Sequence, residues 1–202
     1  MKNLKISIIT VVKNNKDTIE KNILSLINQN YKNYEHIIID GGSNDGTVDI
    51  INKYKKNIKY FVSEKDDGIY DAMNKGIDKV EGDIIGILNA DDFFYSNALD
   101  VVKTYFENYN DIDFLFGSVN KHTLQYGFKP KKIYWTFGFY SSHSVGFFIK
   151  SNAQKKIGYY NTKYKYSSDY DLFFRMIVKF QMKGMATKKN EILGYFGPNG
   201  IS

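Results

Sequence analysis

The chain has 202 residues, 43% of them apolar and a net charge of +6, enough for one domain with a sizeable core. Cysteine is absent, which removes disulfides, zinc-thiolate sites and thiol nucleophiles together and fits a reducing compartment. No apolar run approaches the roughly 20 residues of a membrane-spanning helix. The run behind Met1 is also too short for a signal peptide, so the expected location is the cytoplasm, at most against the inner face of the plasma membrane.

Residues 6–12 form a continuous β-rich run of the kind buried on both faces of a sheet. Residues 17–30 place Ile19, Ile23, Leu24 and Ile27 on one helical stripe. A buried strand follows over 36–39, a short helix over 47–56, a strand over 59–63 and a helix over 69–79. A strand over 83–88 and a helix over 98–107 complete the series. Strands alternating with helices of this length predict a parallel, doubly wound α/β sheet. Beyond Asp111 the runs are shorter and aromatic-rich, over 114–119, 123–128, 133–137 and 145–149. They read as mixed or antiparallel strands wrapped onto the first sheet, followed by a helix over 170–183. With 17 Tyr and 15 Phe in the chain, most aromatics must be core.

In a doubly wound sheet ligands bind beyond the carboxyl ends of the strands. All four predicted ends are polar: residues 10–15, 40–47, 64–68 and 89–92. In Leu88-Asn89-Ala90-Asp91-Asp92 two adjacent carboxylates lack a basic neighbour. They suit a hard divalent cation such as Mg²⁺ or Mn²⁺ shared with a substrate phosphate, or equally a cap for the helix that starts near Asn97. Asp40 can accept from a nucleobase N–H or a ribose hydroxyl, and Ser43 and Asp45 read as caps of the next helix. Neither Gly-x-x-x-x-Gly-Lys-Ser/Thr nor Gly-x-Gly-x-x-Gly occurs, which removes ATPase and dehydrogenase readings.

Charge divides unevenly. Residues 1–100 carry 13 Lys+Arg against 16 Asp+Glu, and residues 101–202 carry 15 against 6. Lys129-Pro130-Lys131-Lys132, just ahead of Tyr134 and Trp135, could meet anionic lipid in a peripheral membrane contact, or a phosphorylated acceptor. The competing reading is a solvated hairpin edge protected by lysines. Nucleic acid is not an expected partner, since no recognition-helix or RNA-binding signature accompanies the charge.

Together these segments resemble a family 2 glycosyltransferase of the GT-A fold. Ser7-Ile8-Ile9-Thr10-Val11-Val12-Lys13-Asn14 is similar to the family's opening strand, and Asp40-Gly41-Gly42-Ser43-Asn44-Asp45-Gly46-Thr47 to its Asp-Gly-Ser-x-Asp-Gly-Thr loop. The stretch from Glu64 to Gly76 resembles a bacterial polysaccharide, colanic-acid-type subgroup, and Asn89-Ala90-Asp91-Asp92 stands at the Asp-x-Asp metal motif. The resemblance implies one domain over 1–202, with a nucleotide-sugar-binding half over 1–110 and an acceptor-side half over 111–202. Relatives continue with further helices, so a short or truncated member is expected.

The resemblance also implies roles. Thr10, Val12, Asp40 and Asp67 would hold the nucleotide, Asp91 would face ribose or metal, and Asp92 would hold the metal bridging the pyrophosphate. Lys75 would neutralise phosphate, or be a solvated helix-face lysine. The late helix start Tyr166-Ser167-Ser168-Asp169-Tyr170-Asp171 aligns Asp169 with the second acid of the family's Glu-Asp pair, so Asp169 is the expected general base and Asp171 its reserve; Asp169 could instead cap that helix. His143 matches a subgroup histidine that could touch acceptor, phosphate or metal, or be structural. The implied activity is inverting, metal-dependent transfer from a nucleotide-sugar, a UDP-sugar first, to a glycan or lipid-linked acceptor in bacterial surface polysaccharide synthesis. A sugar nucleotidyltransferase would need a Gly-rich, Arg-containing loop after the first strand, which is missing. A non-catalytic nucleotide-sugar-binding regulatory module is the alternative from another class.

Overall fold

The computed structural model describes residues 3–135 and 138–197. Four parallel strands, β1 (Ile6–Val12), β2 (Tyr34–Asp40), β3 (Tyr60–Ser63) and β4 (Ile84–Ile87), lie in the order β4-β1-β2-β3. They alternate with helices α1 (Ile19–Ile27), α2 (Thr47–Lys53) and α3 (Ile69–Ile77). Every residue of β1 is buried, because its alternate side chains feed clusters on the two faces of the sheet. Ile9 and Val11 pack with Ile37, Ile85 and Ile87 beneath α3, whereas Ile6 and Ile8 face the other way.

After β5 (Phe93–Phe94) and helix α4 (Ala98–Asn108) the chain departs from the expected layout. The run over 114–119 is two strands, β6 (Phe114–Phe116) and β7 (Ser118–Asn120), and they belong to different sheets. Gly117 lies at the switch, where a Cβ would stand 2.0 Å from Leu193, so only glycine lets the chain pass. β6 joins the main sheet beyond β9 (Phe147–Lys150), which runs antiparallel to both β4 and β6, and β10 (Gly184–Ala186) adds a parallel edge. A second sheet of four strands is ordered β5-β11-β7-β8, with β8 (Leu124–Gln125) and β11 (Ile192–Tyr195).

Two expectations need correction. The strand over 123–128 shrinks to β8. The described part of the strand expected over 133–137 is a 3₁₀ turn, Pro130–Tyr134, and Thr136 and Phe137 lie outside the described residues. Proline at the start of that turn sets φ for it, and only Ile133 turns inward. Helices α5 (Ser151–Ile157) and α6 (Ser168–Phe174) follow, the latter continuing as a π turn over Arg175–Lys179. No helix among the described residues is long and apolar enough to cross a membrane.

Between β1, β2 and α1 sits a buried polar trio. Thr10 donates to Asn22 Oδ1 (3.2 Å), which leaves His36 Nε2–H to donate to the Thr10 hydroxyl (2.9 Å). Burial pushes His36 from 6.5 down to about 3, so it is neutral. A histidine whose folded value is depressed contributes stability that is full above its unfolded value and is lost as pH falls toward the folded one. From pH 8 to pH 5 that loss is about 2 kcal/mol. Urea unfolding of the wild type should therefore lose about that much more stability over this range than His36→Gln, whatever the variant's absolute level; parallel profiles would show that His36 is not the source.

Candidate active site

The four strand ends converge, as the parallel sheet requires. The loops after β1 and β2 are stitched together: Asn14 N–H donates to Ser43 Oγ (2.7 Å), Asn15 N–H to Thr47 Oγ1 (2.8 Å) and Lys16 N–H to Asp45 Oδ2 (3.1 Å). Ser43 and Asp45 thus brace the neighbouring loop as well as their own turn. Above them opens a cleft of about 560 Å³ lined by Val12, Lys13, Asn14, Asp17, Asp66 and Asp91, among others. Beside it lies a second cavity of about 580 Å³ lined by Tyr70, Lys121, Tyr140, His143, Tyr166 and Asp169, among others. Ile69 and Asn89 line both, so the two spaces meet there. A larger cavity of about 770 Å³ lies at the amino ends of β1 and β4, walled by Leu4, Asp83 and Lys150, away from the convergent loops.

Several residues singled out in the sequence sit elsewhere than expected. Thr10 is enclosed with Asn22 and His36 and does not reach the cleft. Asp40 is fully buried, and its oxygens take hydrogen bonds from Gly42 N–H, Ser43 N–H, the Ser43 hydroxyl and the Ser63 hydroxyl, so it shapes the loop. The acid in the cleft after β3 is Asp66, which lies over the backbone of Gly41; exposed Asp67 lies outside the lining. Lys75 is spent on ion pairs with Glu64 (2.9 Å) and Asp71 (3.3 Å) and lines neither space. Val12 does line the cleft.

The two adjacent acids after β4 part company. Asp91 lines the cleft. Asp92, 2% exposed, points inward, accepting from the Ser144 hydroxyl and from Gly197 N–H (2.7 Å). Burial pushes its carboxyl up to about 7, and those two hydrogen bonds pull the other way. Ser144 Oγ also accepts from Asn89 N–H (2.8 Å), and Asn22 holds the carbonyls of Asn89 and Asp92 (2.8 and 3.0 Å). Gly197 packs so tightly on this turn that a Cβ would lie 2.5 Å from the Asp91 carbonyl oxygen.

Among the described residues no three His, Cys, Asp or Glu side chains surround one point. Asn89 Oδ1 is shielded from solvent and accepts no hydrogen bond there, and Asp91 stands two residues on at the same cleft. A neutral and a charged oxygen beside an open cleft fit a hard cation that takes its remaining ligands from phosphate and water. The expected metal acid Asp92 is the support beneath them.

In the second cavity Asp169 is gripped from two sides. Tyr70 donates to Oδ1 and Tyr140 to Oδ2, each at 3.3 Å, and Tyr170 N–H adds a bond of 2.9 Å to Oδ1. Burial first, and then the Asp169 charge, pushes Tyr70 up to about 12 and Tyr140 higher still, so both remain donors. Asp171, the reserve, is paired with Arg175 (2.9 Å), and Ser168 is fully buried. His143 is half-buried against Phe147 and Phe173, with Nε2 2.7 Å from the Tyr160 hydroxyl; desolvation among these rings pulls it below the ordinary value. Asp66, Lys121, Tyr70, Tyr140 and Ser144 were not expected from the sequence. Nothing in local pattern separates Asp66 from Asp67, and the others enter through long-range contacts.

The architecture, a mostly parallel sheet with a smaller second sheet, is GT-A-like. Solved structures share it: Staphylococcus aureus TarS 1-349 in complex with UDP-GlcNAc has a TM-score of 0.80 at 15% identity, over 98% of this chain and 60% of that one. Mannosyltransferase PcManGT from Pyrobaculum calidifontis, in complex with GDP-Man and Mn²⁺, has a TM-score of 0.70 at 15% identity, over 96% and 58%. At such identity the likeness speaks for the fold alone. An uncharacterized glycosyltransferase of Rickettsia typhi is 30% identical over 187 residues, 85% of this chain and 58% of the relative. One of Haemophilus influenzae is 40% identical over 98 residues, 47% and 39%. The chain thus spans well under two thirds of these relatives. The family model for Glycosyl transferase family 2 matches residues 7–179, from the first residues of β1 through α6, and so takes in the lining of both cavities except Phe196. This chain belongs to glycosyl transferase family 2.

Proposed function

We propose that the chain transfers a sugar from a nucleotide-sugar, a UDP-sugar first among them, to a glycan or lipid-linked hydroxyl in bacterial surface polysaccharide synthesis, with inversion and with a divalent ion. The observation that carries this is the meeting of the two cavities at Asn89, with Asp91 in one and Asp169 in the other. The cleft lined by Val12, Lys13, Asn14 and Asp66 takes the nucleotide. Asp91 and Asn89 would hold Mn²⁺ or Mg²⁺, which when bound supplies Lewis-acid stabilisation of the departing diphosphate. The acceptor occupies the other cavity, where the Asp169 carboxylate takes the hydroxyl proton as the oxygen attacks the anomeric carbon and the bond to the diphosphate breaks. One displacement inverts that carbon. Hydrogen bonds donated by Tyr70 and Tyr140 fix the direction of the Asp169 carboxylate. UDP-GlcNAc in the TarS complex supports a UDP-sugar, while GDP-Man in PcManGT makes guanosine the competitor.

Thermal shift with UDP, GDP, CDP and dTDP, each with and without Mn²⁺, should show stabilisation by UDP that depends on the metal, about 2.7 kcal/mol at a hundredfold excess over Kd. Preference for GDP would overturn the nucleotide assignment. Asp91→Ala should abolish the metal-dependent part at unchanged basal stability. Asp92→Ala should instead lower basal stability by about 1–3 kcal/mol, because Gly197 N–H and Ser144 lose their acceptor; the reverse pattern would return the metal to Asp92.

Asp169→Asn should keep UDP stabilisation and lose at least ~100-fold in kcat. Full turnover would remove it as the base. Tyr140→Phe withdraws a donor that fixes the direction of the carboxylate, so kcat should fall by roughly 10-fold at unchanged donor KM; an unchanged kcat would deny Tyr140 this role.

A further inference from the structure

From Asp113 to Asp169 the chain carries nine lysines and not one acidic residue between those two aspartates. Much of this stretch folds into the walls of the second cavity and the strands behind it, and two pieces with lysines and tyrosines are exposed, residues 162–167 and the turn Pro130–Tyr134 with its flanks, of which only the second carries a tryptophan. The turn Pro130–Tyr134 is anchored from within by buried Ile133, by a Tyr170 hydroxyl bonded to the Ile133 carbonyl and by Lys129 N–H donating to the Phe139 carbonyl (2.7 Å). Outward it presents Lys131, Lys132 and Tyr134, with Lys129 before it and Trp135 after it. Trp135 is 84% exposed and Tyr134 62%. Trp135 is the only tryptophan in the chain.

A large indole left in water forgoes burial that is worth several times thermal energy, so a surface that covers it gains that energy. An aromatic tip ringed by lysines is chemically matched to one kind of surface. Tryptophan and tyrosine settle at the headgroup level of a bilayer, and lysine stems lie along apolar surface while their ammonium groups reach anionic headgroups. We propose that the turn Pro130–Tyr134, with Lys129 and Trp135, docks this protein on an anionic lipid bilayer.

Docking does not depend on the transfer reaction, yet it bears on it. The hydroxyl of Tyr170, the residue after Asp169, holds the turn's backbone, so a bilayer at Trp135 keeps the Asp169 cavity beside the membrane surface. A nucleic acid would find the lysines but no groove or base-stacking platform at a single projecting turn.

The test is flotation of the whole chain with vesicles of phosphatidylcholine alone or mixed with phosphatidylglycerol, together with intrinsic tryptophan emission, which reports Trp135 alone. The expected result is flotation only with the anionic vesicles, accompanied by a shift of emission to shorter wavelength. Lys131→Gln with Lys132→Gln should weaken partitioning by roughly 30-fold, about 2 kcal/mol, and Trp135→Ser should weaken it as well, both at unchanged melting temperature since these side chains are exposed. Failure of folded protein to float, flotation without an emission shift, or undiminished flotation of the lysine double variant would each overturn the proposal. So would binding to heparin or polyuridylate in place of vesicles, or an emission already shifted and shielded from quencher in a dimer without lipid.

Discussion

Asp92 joins three stretches of chain that are remote in sequence. Its carboxylate takes the hydroxyl of Ser144, 52 residues on, and the amide of Gly197, 105 residues on, while Ser144 in turn receives Asn89 N–H. The turn after β4, the segment before β9 and the end of β11 are thereby fixed to one another. That clasp places Asp91 at the cleft and Asn89 at the boundary between the two cavities. Burying a carboxylate this deeply is costly, as its raised pKa reflects, and the bonds from Ser144 and Gly197 offset part of that cost.

The same division between outward and supporting residues recurs around the site. Asp40 shapes the β2 loop while Asp66, brought over Gly41, faces the cleft. Ser43 and Asp45 brace the β1 loop, whose Lys13 and Asn14 line it. On α6 the buried Ser168 and the ion-paired Asp171 leave Asp169 to face the second cavity, between two tyrosines whose protons stay in place. His143, packed among aromatic rings and bonded to Tyr160, belongs to the wall behind that acid. Polar groups whose hydrogen bonds are satisfied in this way make a rigid frame, and a rigid frame is what holds reacting groups in register.

Much of the fold was legible because period and length carry it. The β-rich runs at Ile6–Val12 and Ile84–Ile87 read as strands buried on both faces, and the helical stripe with Ile19 and Ile23 as a helix packed on them. The second half was less legible. β5, β10 and β11 are two to four residues long, too short to show alternation, and the aromatic run at 114–119 gives no sign that Gly117 divides it between two sheets. The aromatic run over 133–137 reads as a strand by composition, but its start, Ile133 and Tyr134, belongs to a 3₁₀ turn that opens on Pro130 and turns only Ile133 inward.

By itself the sequence determined the alternation that builds a parallel sheet, hence the edge where ligands gather, and the motifs of the family along that edge. Those depend on neighbours in the chain, through side-chain period, turn chemistry and strand polarity. The tertiary structure decided which member of each acidic pair lines the site: Asp66 and not the expected Asp67, Asp91 and not both Asp91 and Asp92, and Asp169, the acid the resemblance had already ranked ahead of Asp171. The physical reason is the same in the last two cases. Adjacent or near-adjacent acids have nearly equal local propensities, and the choice falls to partners such as Ser144, Gly197, Tyr70, Tyr140 and Arg175, which reach them across the fold or from the next turn of the helix.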